Sequence, residues 1–228
     1  MVVVILGTGR SGTNVVLETL TGSSKLNSPD DGVARKFCET KKIYDPNTLI
    51  KSDIVTHTVQ GIEDVLAINP SMKIIWTIRD PRDICMSKIK RGVPLRLGGD
   101  CHRFSPDGTL EGSVEYLRRM VVLYDYFKDR DCSMLVRMED VLLHTEGEAR
   151  RMCSFLGIPF EKTMVHFYKR MRNNHKKNRY PKKDLSQISL WKSWKTVYDG
   201  YFVKNKIDMD KIFVEVDDLI NKFGYGDD

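Results

Sequence analysis

Gly7-Thr8-Gly9-Arg10-Ser11-Gly12-Thr13-Asn14 follows directly on the apolar run Val2 to Leu6 and precedes a helical pattern. A glycine-rich turn between a buried strand and a helix points successive backbone N–H groups, and the positive end of the helix dipole, at one spot. Such a turn is an anion site, above all a phosphate site. Three chemistries share its spacing. A dinucleotide fingerprint needs an acidic residue about 20 positions on, at the end of a second strand. Asp30 and Asp31 lie near that distance but follow Lys-Leu-Asn-Ser-Pro, which is no strand pattern. A nucleoside triphosphatase loop needs lysine and a magnesium-binding hydroxyl where this chain has Thr13 and Asn14. The third is a phosphate loop whose cation comes early, at Arg10, and which carries no magnesium ligand.

A second constellation lies at Lys73-Ile-Ile-Trp-Thr-Ile-Arg79-Asp80-Pro81-Arg82-Asp83, with Ser87 beyond it. Arg79 is expected at the end of a strand, where a guanidinium can grip a phosphate through two N–H groups. Asp80 is suited to cap the following helix, with Pro81 at its first position and Asp83 at the capping-box position. Asp83 and Ser87 fall one turn apart on one face. An Arg79–Asp83 ion pair and a solvated Ser87 are the purely structural alternative.

Together these segments resemble the sulfotransferase superfamily, whose donor is 3′-phosphoadenosine 5′-phosphosulfate. Arg10-Ser11-Gly12-Thr13 after the first strand is similar to the family's 5′-phosphosulfate loop, and Arg79 with Ser87, eight positions later, to its 3′-phosphate site. Leu135 to Val141, Ala149 to Pro159 and Gln187 to Val197 are similar to later segments of the family. The resemblance implies transfer of a sulfuryl group to a hydroxyl or amine acceptor, without a required metal. It implies donor contacts at Gly9, Arg10, Ser11, Gly12, Thr13, Asn14, Arg79 and Ser87. The family's arginine-lysine-glycine element is absent as such, and on this resemblance Lys182 and Lys183 would take its place. Arg10 would stabilise the leaving phosphate. His57, in the family's Thr-His position at the expected end of a second strand, would be the general base, with Glu39 or Asp53 as carboxylate alternatives. Val15 and Met138 replace aromatic residues that serve the adenine in cytosolic members. The stretch from Lys192 to Tyr201 resembles a dimerisation motif, which implies a homodimer.

These residues need elements to hold them. Strands are expected at Val2 to Leu6, Ser52 to Thr58, Lys73 to Ile78 and 133–137. Helices are expected at Thr13 to Leu20, around Ile62 to Ile68, from Pro81 to a stop at Gly92, at 110–128 and at 145–156. Alternating strands and helices imply an α/β three-layer sandwich with a mainly parallel sheet, nucleotide-hydrolase-like, with ligands beyond the carboxyl ends of the strands. Gly-, Pro- and Asp-rich residues 93–109 read as a long functional loop.

The chain has 228 residues, enough for one substantial domain, and 41% hydrophobic residues, which excludes general disorder. A net charge of +6 favours an anionic ligand. Residues 169–183 hold eight Lys or Arg, which could close over the donor or attract an acidic acceptor such as a glycan; with only Tyr180 interleaved, polynucleotide is disfavoured. Five cysteines without paired spacing read as reduced thiols rather than a metal site. No apolar run approaches the roughly 20 residues of a membrane span, and no signal peptide is visible, so a cytoplasmic protein is expected. Two further readings stay open: a nucleotide kinase with a degenerate loop, and a non-enzymatic module binding anions or nucleic acid.

Overall fold

The computed structural model describes residues 1–28, 43–54, 57–91, 110–170 and 209–226. They group into two compact units. The first contains Met1–Ile78 and Arg118–Arg170, the second Arg79–Leu117 and the described residues beyond 208.

The first unit is an α/β assembly on a four-stranded, wholly parallel sheet. Its strands are β1 (Val3–Gly7), β2 (Leu49–Asp53), β3 (Lys73–Ile78) and β4 (Ser133–Arg137), in the order β2-β1-β3-β4. A strand hydrogen-bonded on both sides and covered on both faces has no polar-facing positions. Accordingly β1 is buried throughout and reads Val-Val-Ile-Leu-Gly. Edge strand β4 alternates buried and half-buried residues. Trp76 on β3 fills the core, donating its indole N–H to Ser133 Oγ at 2.7 Å and stacking on Phe127. Between the strands run α1 (Thr13–Leu20) and α2 (Val59–Ile68), and after β4 come α5 (Met138–Leu143), α6 (Thr145–Leu156) and a 3-10 turn at Lys162–His166. Helix α1 packs on β1 and β2.

The second unit contains α3 (Pro81–Arg91), the start of α4 (Leu110–Phe127), and α7 (Met209–Lys222), which packs on α3. Asp80 caps α3 as expected: its Oδ1 accepts the N–H of Arg82 at 2.8 Å, and its carbonyl accepts the N–H of Ile84 at 3.0 Å. Arg82 locks that cap with Nε and a terminal nitrogen on the Asp80 carboxylate, and it also reaches the Tyr225 carbonyl and the Phe213 ring.

One expectation needs correction, and two elements were not expected. The second strand runs over Leu49–Asp53 rather than from Ser52 to Thr58, because its register with β1 begins at Val3–Leu49 and ends at Gly7–Asp53. Where β1 turns into the glycine loop, β2 loses its hydrogen-bonding neighbour. Thr58 instead caps α2, its hydroxyl accepting the N–H of Gly61 at 3.0 Å. Immediately after β4 the chain enters α5, an element the sequence pattern did not reveal, and α7 was likewise unforeseen. The expected stop at Gly92 and loop 93–109 lie outside the described residues.

Candidate active site

The glycine loop is built around one close approach. A Cβ on Gly7 would lie 2.1 Å from Thr77 Oγ1, 2.4 Å from Ser11 Oγ and 2.9 Å from the Thr77 carbonyl, so only glycine lets β1 turn beside β3. Ser11 and Thr77 then tie the loop to the sheet. Their hydroxyls are 2.9 Å apart, with the Thr8 carbonyl 2.8 Å from Ser11 Oγ and the Leu6 carbonyl 3.3 Å from Thr77 Oγ1. The Ser11 N–H donates to the Thr8 carbonyl at 3.0 Å. Ser11 is wholly buried, so it gives the loop its shape. Thr8 is also wholly buried, and its Oγ1 has no hydrogen-bond partner among the described residues.

Arg10 and Gly12 both adopt left-handed backbone, with φ of 85° and 92°. For arginine this conformation costs on the order of 1 kcal/mol, strain of the kind that collects at ligand-binding loops. Gly12 is the N-cap residue of α1 and so supplies no capping side chain, and the first turn of α1 carries no acidic residue. The leading amides of a helix have no intrahelical acceptor. Here they are left without a side-chain cap, at the carboxyl end of a central strand. Next to them, Lys51 of β2 donates from Nζ to Asn14 Oδ1 at 2.7 Å.

His57 stands four residues beyond β2 rather than at its end. Its N–H donates to the Ile54 carbonyl at 3.0 Å, and its carbonyl accepts from Arg119 at 3.2 Å. The ring is 1% exposed, with Nε2 2.8 Å from Ser52 Oγ. Burial, reinforced by the Arg119 charge, pushes its pKa down to about 4, so the imidazole is neutral at pH 7. Asp53, at the end of β2 and paired in register with Gly7, is exposed.

In the second unit Arg79, Asp83 and Ser87 follow one another at intervals of four, all nearly inaccessible. Arg79 pairs with Asp83 through its terminal nitrogen. Removal from water outweighs that guanidinium and pushes the Asp83 carboxyl up to about 6. Asp83 Oδ1 has no hydrogen-bond partner among the described residues. The ion-pair alternative for Arg79 is therefore present, while Ser87 is buried rather than solvated. Glu39, Lys182, Lys183, most of the basic stretch 169–183 and the segment 192–201 lie outside the described residues. Among the described residues no cluster of His, Cys, Asp or Glu could hold a metal ion, and no helix is long and apolar enough to cross a membrane.

Residues 33–162, more than half of the chain, match the sequence profile of the Sulfotransferase family. The chain belongs to the sulfotransferase family. The match spans His57, Arg79 and Ser87 but begins downstream of the glycine loop, whose part must therefore stand on its own geometry. Solved sulfotransferases share the fold at low identity. The sulfotransferase domain from the curacin biosynthetic pathway gives a TM-score of 0.52 at 17% identity, covering 73% of this chain and 77% of that one. Mouse sulfotransferase SULT7A1 complexed with PAP gives 0.53 at 16%, covering 73% of this chain and 61% of that one. The sulfotransferase from Alicyclobacillus acidocaldarius gives 0.51 at 13%, covering 77% and 91%. No curated protein sequence matches this sulfotransferase.

The positions missed in the sequence were Lys51, Ser52 and Thr77. All three lie on strands, and the misplaced register of β2 hid the first two. With β2 at Leu49–Asp53, alternation puts Lys51 and Asp53 on one face and Ser52 on the other. Successive residues thus reach the loop helix and His57 respectively.

Proposed function

We propose that this sulfotransferase takes its sulfuryl group from 3′-phosphoadenosine 5′-phosphosulfate and passes it to a hydroxyl- or amine-bearing small molecule or glycan. The observation that carries the proposal is the start of α1: uncapped, free of acidic residues, and reached through the left-handed residues Arg10 and Gly12. That arrangement suits a phosphosulfate group, and the absence of lysine and hydroxyl at positions 13 and 14 disfavours a magnesium nucleoside triphosphate.

In the proposed reaction an acceptor oxygen attacks sulfur. The new S–O bond forms as the bond to the 5′-phosphate oxygen breaks, and adenosine 3′,5′-bisphosphate leaves with the electron pair. Gly9, Gly12, Thr13 and Asn14 offer the loop to the 5′-phosphosulfate, shaped from beneath by Ser11. Arg10 neutralises the developing charge on the leaving phosphate through its guanidinium. Arg79 and Ser87, with Lys182 and Lys183, are proposed for the 3′-phosphate.

The acceptor proton goes to a base, and His57 is the candidate carried over from the family pattern. Its neutral ring can accept a proton, although the low pKa makes it a weak base and Ser52 occupies Nε2. Exposure at the end of β2 favours Asp53 as the second reading. Incubation with sulfur-labelled donor and a panel of hydroxyl and amine acceptors tests the function: label should move to an acceptor with equimolar release of the bisphosphate. Donor consumption without labelled acceptor in any class would count against transfer.

A further inference from the structure

We infer that Lys51 is a positioning residue for the donor's 5′-phosphosulfate, acting through Asn14; the inference rests on the donor reading above. An ammonium group only donates hydrogen bonds, so the Asn14 atom 2.7 Å from Lys51 Nζ is the amide oxygen. With its oxygen held, the Asn14 side chain has its NH2 left to offer. Asn14 is the second residue of α1, so that NH2 group belongs to the same turn as the helix's leading amides.

The positive end of a helix dipole attracts anions and repels cations. The first turn of α1 contains no acidic residue, its N-cap residue Gly12 offers no side-chain cap, and Lys51 of β2 reaches its second residue, Asn14. An anion in the turn would be attracted both by the helix dipole and by the Lys51 ammonium. In the same loop Thr8 is wholly buried, and its Oγ1 has no hydrogen-bond partner among the described residues. Lys51 thereby supplies from β2 the cation that position 13 of the loop lacks. A charge-bearing hydrogen bond to a neutral amide also polarises that amide, strengthening its N–H as a donor.

The test compares adenosine 3′,5′-bisphosphate with adenosine 3′-phosphate, which lacks the 5′ group, by calorimetric titration. Lys51→Met keeps the side-chain stem and removes the charge. Its affinity for the bisphosphate should fall roughly 10- to 100-fold, with adenosine 3′-phosphate unaffected and Lys51→Arg retaining most of the binding. Asn14→Ala should show the same selective loss, and the double variant should lose little more than either single one. Equal weakening of both ligands, unchanged bisphosphate binding, or additive losses in the double variant would overturn the inference. Should Lys51→Met not fold, Asn14→Asp serves: it keeps the contact with Lys51 but faces the 5′ group with a carboxylate, and should lose the bisphosphate selectively. Failure of the unaltered protein to bind the bisphosphate would instead overturn the donor reading on which the inference stands.

Discussion

His57 Nε2 sits 2.8 Å from Ser52 Oγ, and both residues are almost wholly removed from solvent. The pair joins the segment after β2 back to the strand itself. It also stores a pH dependence. The ring titrates near 6.5 when unfolded and near 4 in the native protein, so between those values the unfolded chain binds the extra proton. Stability from this residue should therefore be complete above pH 6.5 and fall by roughly 3 kcal/mol as pH drops to 4. Urea unfolding of His57→Asn across that range should lack this loss.

Asp83 works in the opposite direction. Its native pKa of about 6 lies above its ordinary 3.8, so the native carboxyl keeps a proton that the unfolded chain has released between those values. Its contribution therefore rises as pH falls from 6 to 3.8 and largely offsets that of His57. The expected result is a shallow profile for the unaltered protein between pH 4 and 6, and a steep acid loss for Asp83→Asn. A steep loss in both would show that Asp83 titrates normally.

Gly7→Ala should be severely destabilising, by more than about 2 kcal/mol. The added methyl meets two hydroxyls and a backbone carbonyl. Thr77→Ala in the same chain removes one hydroxyl but not the carbonyl, so thermal denaturation should show partial rescue only.

Arg79 is expected to read the 3′-phosphate. Replacing it alone would strand a buried carboxylate, so the comparison belongs in an Asp83→Asn background. There, Arg79→Met should weaken adenosine 3′,5′-bisphosphate more than about tenfold and leave adenosine 5′-phosphate unchanged. Equal losses for both ligands would remove the 3′-phosphate site.

The identity of the base is open to kinetics. The residue that takes the acceptor proton should lower kcat by about 100-fold or more when neutralised, with donor affinity intact. His57→Gln and Asp53→Asn are the two variants to compare, and a fully active His57→Gln enzyme would hand the role to Asp53.

Much of this could be read from residue patterns because the informative signals were local. The buried run of β1, the glycine loop, and the Asp80-Pro81 cap each encode their structure within a few residues, and each folds as expected. Long-range register was not legible. Ile54 looks like strand continuation by its side chain, but β2 stops at Asp53 because β1 turns away, a fact held in another segment. Hydroxyl partners such as Thr77 for Ser11, 66 residues apart, were invisible for the same reason. Burial was not legible either. Ser87 looks like a solvated helix serine in isolation, and only packing reveals it as buried.

Thermal unfolding with adenosine 3′,5′-bisphosphate, in buffer free of divalent metal, addresses the donor most directly. At 100 times its dissociation constant the ligand should add about 2.7 kcal/mol, a shift much reduced in Arg10→Ala. No stabilisation by the bisphosphate, alongside a clear response to magnesium ATP, would contradict a phosphosulfate donor and point to a nucleoside triphosphate instead.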